Sequence, residues 1–259
     1  MQYWRGIALV LLSLGYAMAW HYGHLGKASV PVLVLLVLLG LATRHARVRP
    51  IGHAGFVLVG MALGFHALPG FDNALVIDQV TLSPDAPPFS MNLNLDKPLI
   101  GFWLLLFCPW VIAARPWRAV AAQTPVIASL TMALVFGLAL LIGAVAWAPK
   151  WPQAGGLWVA NNLLLVSLTE ELLFRGYLLS FLQKRLQPHR HGALLAVLLS
   201  SLLFGLAHLG GGWAWFTLAT LAGIGYGVAW QRGGLACAVL CHFCVNLLHF
   251  TLFSYPLKL

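Results

Sequence analysis

Only two glutamates occur in the 259-residue chain, Glu170 and Glu171, and they stand side by side in an apolar stretch long enough to cross a bilayer. A carboxylate inside hydrocarbon costs several kcal/mol, so ionisable residues there point first to function. The four aspartates, Asp72, Asp78, Asp85 and Asp96, all fall in one polar loop, which leaves acid chemistry at membrane depth to the glutamate pair. In Glu170-Glu171-Leu172-Leu173-Phe174-Arg175 the second glutamate and the arginine are four residues apart. They share a helix face with the acid N-terminal to the base, the favoured order for an ion pair. Glu170 lies about 100° further round the helix. Arg175 therefore neutralises Glu171 and leaves Glu170 with neither a second sequence-local cation nor bulk water, which makes Glu170 the better general base.

Two further segments carry polar pairs at the same spacing. Phe204-Gly205-Leu206-Ala207-His208 ends the apolar run after the glutamates, and His242-Phe243-Cys244-Val245-Asn246 lies in the last one, with His242 and Asn246 on one face. At about 1.5 Å per residue, Glu170, His208 and His242 lie roughly 18, 22 and 12 Å from the cytoplasmic ends of their helices, depths compatible with one cluster. A lone intramembrane histidine or asparagine is usually an interhelical hydrogen bond; three polar motifs on neighbouring spans at similar depth are better explained by a site.

The other intramembrane protease chemistries fail against this chain. Neither glutamate adjoins a histidine, so a zinc HExxH site is impossible, and no aspartate is available for an intramembrane dyad. A G-x-S-x-G elbow is also missing. What remains is a carboxylate that activates water, a histidine that shares the proton traffic, and a His/Asn pair able to donate hydrogen bonds to a developing oxyanion.

At these residues the chain resembles the CAAX protease and bacteriocin-processing (CPBP, or Abi) family of membrane proteins, which includes the eukaryotic Ras-converting CAAX endopeptidase. The family motifs EExxxR, FxxxH and HxxxN/D/S read here as Glu170-Glu171 to Arg175, Phe204 to His208 and His242 to Asn246, in order and without departure, within about residues 157–250. The resemblance implies a glutamate-dependent intramembrane endopeptidase with an all-helical core. By the same resemblance, Glu170 and His208 activate the hydrolytic water, His242 and Asn246 form the oxyanion hole, and Glu171, Arg175 and Phe204 support the geometry. No cofactor is expected; zinc held by Glu170, His208 and His242 is the alternative, although these residues have no recognised zinc spacing. The expected substrate is a membrane-associated peptide or protein, not necessarily a prenylated one. The same residues could instead line a proton or substrate path in a transporter, or serve an immunity-type protein that binds a toxic peptide without cutting it. The chain shows no inverted repeat of the kind that builds transporters.

The elements that must position these residues are membrane helices. The chain is 61% hydrophobic and 8% charged, with a mean hydropathy of +0.87, far from the roughly 25% charged content of a soluble domain. On the template of about 20 apolar residues per crossing, spans fall near 4–20, 28–43, 51–68, 98–114, 124–147, 157–182, 193–209, 213–230 and 234–254. The fold class is all-α, a polytopic bundle of about eight or nine spans, with N-terminal spans in 1–150 and a CPBP-like catalytic core in 151–259. The net charge of +9 reports topology and not a nucleic-acid partner. Arg5, Arg44, Arg47, Arg49, Arg115, Arg118, Lys184, Arg185, Arg190 and Arg232 fall on one side, and Lys27, Lys97, Lys150 and Lys258 on the other. By the positive-inside rule the N-terminus is cytoplasmic; the location expected from the family resemblance is a bacterial inner membrane.

The first span also resembles a signal peptide ending at Ala17-Met18-Ala19, but is expected to be retained. Residues 69–97 read as an extracytoplasmic, largely solvated connector with a β-leaning run at Ala74-Leu75-Val76-Ile77. Cys108, Cys237, Cys241 and Cys244 fall within spans and read as small apolar residues. Gly223 and Gly227, spaced as in GxxxG, predict a close helix crossing. His53, His66 and His249 read as structural polar residues.

Overall fold

The computed structural model describes residues 3–258, with the side chains of residues 3–5, 8 and 9, Arg5 among them, outside the description. The chain is mostly helical, with one two-stranded sheet. Among the described residues, three helices are long and apolar enough to cross a membrane.

One compact unit comprises Met1–Val76 with Asn92–Pro109. It contains α1 (Tyr3–His21), α2 (Ser29–Ala42), α3 (Arg49–Gly64) and α4 (Lys97–Phe107). Pro50 opens α3 and Pro98 opens α4, where a missing N–H costs nothing. Asp96 caps α4 by accepting from Lys97 N at 2.8 Å. This helix is shorter than the 98–114 span read from hydropathy: it stops at Phe107 because Pro109 supplies no amide and disfavours helical backbone before it. Glycines bring α3 onto α2, since a Cβ at Gly52 would stand 2.8 Å from Leu39 O. Phe56 stacks on Trp103 at 3.8 Å, and Trp103 Nε1 donates to Leu36 O at 2.8 Å. His66 lies just beyond the end of α3, at φ 54°, with Nδ1 2.6 Å from Asp96 Oδ2.

The other unit comprises Ile77–Met91 with Trp110–Leu259 and holds the motif residues. It contains α5 (Trp117–Leu141), α6 (Gly155–Leu186), α7 (Gly192–Leu206) and α8 (Trp213–Leu252). α5 ends at Gly143, whose φ of 72° gives the left-handed cap that closes helices. α6 is continuous but not uniform: Asn162–Ser167 and Leu172–Leu179 are π-helical and bracket the α-helical turn Leu168–Glu171. At 40 residues α8 would run about 60 Å, twice the hydrocarbon thickness of about 30 Å. It is broken at Gly234 (φ 70°, ψ −163°) into halves 213–233 and 235–252, which matches the two spans read from hydropathy. The break must be glycine, because a Cβ there would strike Ala113 O.

α8 packs on both α5 and α7. Gly223 and Gly227 face α7, where their Cβ atoms would stand 3.1 Å from Ser201 Cβ and 2.9 Å from Val197 Cγ1. This is the close crossing that the GxxxG spacing predicts. Gly225, between them, faces Thr131 of α5.

The connector carries β1 (Ala74–Val80) and β2 (Phe89–Leu93), extending the β-leaning run into a hairpin. Its reading as a mainly solvated link is corrected. Ile77 and Met91 are buried with Trp158 of α6 and Phe250 of α8, and Ser83 Oγ accepts from Tyr255 N at 3.1 Å. Within 77–91 the two strands each turn one apolar side chain, Ile77 and Met91, inward, while most of β1 stays exposed. Burial also pushes the Tyr255 phenol up to about 12.

Candidate active site

The site begins with an irregular helix. π-turns make i→i+5 bonds and are frequent at functional positions, where the widened turn re-aims the side chains beyond it. Glu170 and Glu171 occupy the one α-helical turn between two such stretches. Despite the π geometry that follows, Glu171 and Arg175 make the predicted pair, Arg175 Nη1 to Glu171 Oε1 at 2.8 Å, and both are 0% exposed.

An arginine sealed from water needs all its surroundings arranged for it. Its Nη2 donates to Gly223 O at 3.1 Å, and its guanidinium carbon lies 4.5 Å from the Phe204 ring centre and 5.1 Å from that of Tyr226. These are cation–π distances, at which the ring faces replace part of the lost hydration. Gly223 is small for this reason as well as for the helix crossing: a Cβ would stand 3.2 Å from Arg175 Nη2.

His242 joins the two glutamates. Its Nδ1 is 2.9 Å from Glu171 Oε1, and its Nε2 is 3.9 Å from Glu170 Oε2. Glu171 Oε1 already accepts from Arg175 Nη1, and His242 Nδ1, facing the same oxygen, is placed to donate to it as well. Nε2 is thereby turned toward Glu170. The ring is fixed from two more sides, stacked on Tyr226 at 4.5 Å and 11° and meeting Phe204 edge-on at 5.7 Å. Glu170 differs from its neighbour in exposure, with 29% of its side chain accessible. The Oε2 atoms of both glutamates are buried without a donor among the described residues.

The remaining motif residues are attached less directly. His208 follows the end of α7, and its Nδ1 lies 2.8 Å from Phe204 O, which fixes the proton on that nitrogen and leaves Nε2 as the acceptor. Phe204 is the wedge between the two histidines, 4.6 Å from the His208 ring and 5.7 Å from that of His242. Asn246 lies one turn beyond His242, but its Nδ2 donates to Asn162 Oδ1 at 3.2 Å. Ser167 Oγ donates to the same Oδ1 at 3.2 Å. The structure thus brings Glu170, Glu171, Arg175 and His242 into one contiguous group, attaches His208 to it through Phe204, and ties Asn246 to the first π stretch of α6.

Sequence reasoning missed Asn162, Ser167 and Tyr226. Asn162 had a signal, a polar residue within the apolar run that carries the glutamates; Tyr226 had none, because an aromatic residue in a span reads as core. Among the other histidines, His249 Nε2 meets Ser254 O at 3.1 Å, and His53 packs edge-on to Trp103 at 6.5 Å. The four cysteines are free thiols.

For zinc, the donor set is the test. Glu171 Oε1 is already engaged by Arg175 and His242. Among the described residues no three His, Cys, Asp or Glu side chains stand together so as to hold a metal ion. Of the three residues in the zinc alternative, Glu170 and His242 approach each other to 3.9 Å, Oε2 to Nε2.

Residues 151–248 match the family model described as Type II CAAX prenyl endopeptidase Rce1-like. The matched stretch contains all three motifs and agrees with the CPBP resemblance read from them. No curated protein and no solved structure matches the chain.

Proposed function

We propose, from the match of residues 151–248 to the Rce1-like CAAX prenyl endopeptidase model, that this chain is a glutamate-type intramembrane endopeptidase. Its substrate is a membrane-associated peptide or protein. The observation that carries the reading is His242 suspended between Glu171 at 2.9 Å and Glu170 at 3.9 Å. A structural ion pair needs Glu171 and Arg175 only; it has no use for a second, partly exposed carboxylate on the far side of an oriented imidazole.

In the proposed reaction Glu170 takes a proton from water as the oxygen attacks the scissile carbonyl carbon. His208, an acceptor at Nε2, shares that proton. The carbonyl π pair moves onto oxygen, and the resulting oxyanion is met by His242 and Asn246. For His242 to donate from Nε2 its ring must carry both protons. An asparagine amide has two N–H donors; Asn162 takes one from Asn246, which orients the other. The C–N bond then breaks, and the proton held by Glu170 and His208 passes to the departing amine, so that water is consumed and two chain ends are produced. Arg175, Glu171 and Phe204 keep the constellation in place. No metal takes part.

The same proposal places the N-terminus in the cytoplasm of a bacterium and has the chain cross the inner membrane eight or nine times. Its N-terminal spans lie in 1–150 and its catalytic core in 151–259. The test is turnover: purified protein presented with membrane-embedded candidate peptides should yield new chain ends that the Glu170→Gln variant does not.

A further inference from the structure

We propose that the hairpin turn between α6 and α7 holds a binding site for the phosphate group of an anionic phospholipid. A cavity of about 530 Å³ opens there, lined by Ser180, Gln183, Lys184, Gln187, His189 and Arg190. This volume lies within the roughly 300–1,000 Å³ of small-molecule sites.

Its depth follows from the helices it joins. α6 is apolar enough to span a membrane and gains Lys184 and Arg185 in its last turn; α7, fifteen residues long, is apolar from Gly192 onward. A short turn between two apolar helices lies where both leave the hydrocarbon, at the level of the lipid phosphates. Two aromatic residues mark the same level. Lys184 Nζ sits 5.1 Å from the ring centre of Trp110, which stacks on Tyr177 at 5.4 Å. Trp and Tyr concentrate at this interface.

The chemistry of the lining is one-sided. No carboxylate side chain follows Glu171 in the sequence, and among the described residues neither Lys184 nor Arg190 forms an ion pair. Two cations with an imidazole, two side-chain amides and a hydroxyl suit a phosphodiester together with a headgroup that bears hydroxyls. Basic pockets between membrane helices recognise such headgroups. The turn itself is tightly built: Gly192 N donates to His189 O at 2.9 Å, and a Cβ on Gly192 would strike Leu186 O. The backbone that carries the lining side chains is therefore closely packed. A lipid site here does not depend on the proteolytic reading.

Detergent-purified protein is titrated with phosphatidylglycerol, with phosphatidylcholine and with inorganic phosphate, and occupancy is read by native mass spectrometry and by thermal shift. Phosphatidylglycerol should bind and stabilise. Lys184→Ala combined with Arg190→Ala should weaken it roughly tenfold to thirtyfold, at about 1 kcal/mol per basic residue. Lys184→Arg with Arg190→Lys, which keeps the charge, should retain most of the binding and shows that a loss is not misfolding. Glu170→Gln should bind as the wild type does. Equal binding of phosphatidylcholine, undiminished binding by the double alanine variant, or stabilisation by inorganic phosphate equal to that by the lipid would each overturn the lipid site.

Discussion

Replacing each of the adjacent glutamates separately should give opposite lesions. Glu171 Oε1 accepts from Arg175 Nη1 at 2.8 Å and lies 2.9 Å from His242 Nδ1, and both Glu171 and Arg175 are 0% exposed. Glu171→Gln keeps one oxygen to serve two donors but removes the charge that Arg175 was buried against. Breaking a buried pair from one side costs about 3–5 kcal/mol. For a chain of this size about 2–4 °C of melting temperature accompanies each kcal/mol, so a loss of roughly 6–20 °C is expected. Glu170 Oε2 has no donor within hydrogen-bond reach among the described residues, and His242 Nε2 stands 3.9 Å from it. Glu170→Gln should therefore leave the melting temperature unchanged or raise it, while abolishing cleavage. Combining Glu171→Gln with Arg175→Met removes the orphaned guanidinium, leaves the new amide oxygen free to accept from His242, and should recover part of the lost stability. The assay is thermal unfolding of purified protein in detergent beside peptide turnover. A Glu170→Gln protein that unfolds, with Glu171→Gln stable and inactive, would refute the reasoning and exchange the two roles.

Other consequences are open to measurement. Asn162→Ala removes the acceptor that orients Asn246, so turnover should fall at least roughly tenfold with KM little changed; an unaltered rate would dismiss Asn162 as a positioning residue. In a cysteine-free variant, cysteines placed at Asp85 and at Lys184 should be labelled from opposite sides of the membrane, and labelling of both from one side contradicts the topology. Activity should survive prolonged treatment with 1,10-phenanthroline, and a loss that zinc alone reverses would overturn the metal-free mechanism.

What the sequence disclosed was what hydropathy, charge and helical spacing encode. The Glu171–Arg175 pair, the tight contact of Gly223 and Gly227 with α7, and the division of α8 near Gly234 were legible because each depends on a local periodicity or on one residue type. The π stretches of α6 were not: hydropathy is indifferent to whether a turn closes at i+4 or i+5, and no residue in 162–167 or 172–179 announces the change. His242 was legible as a site residue, but its engagement with both glutamates was not, since that depends on how the second half of α8 lies against α6. The hairpin was misjudged because its polar and proline content masked Ile77 and Met91, whose burial appears only once Trp158 and Phe250 are seen opposite them.

The central claim is that the group around Glu170 hydrolyses peptide bonds, and one experiment addresses it directly. Wild-type and Glu170→Gln proteins, reconstituted separately with the membrane proteome of source cells lacking the gene, are compared by mass spectrometry of newly formed protein N-termini. The account predicts a discrete set of new termini, in proteins with membrane segments or lipid anchors, that appears with wild type and is lost in Glu170→Gln. The same termini from both proteins, or none from either while the wild type still retains a bound peptide, would contradict it.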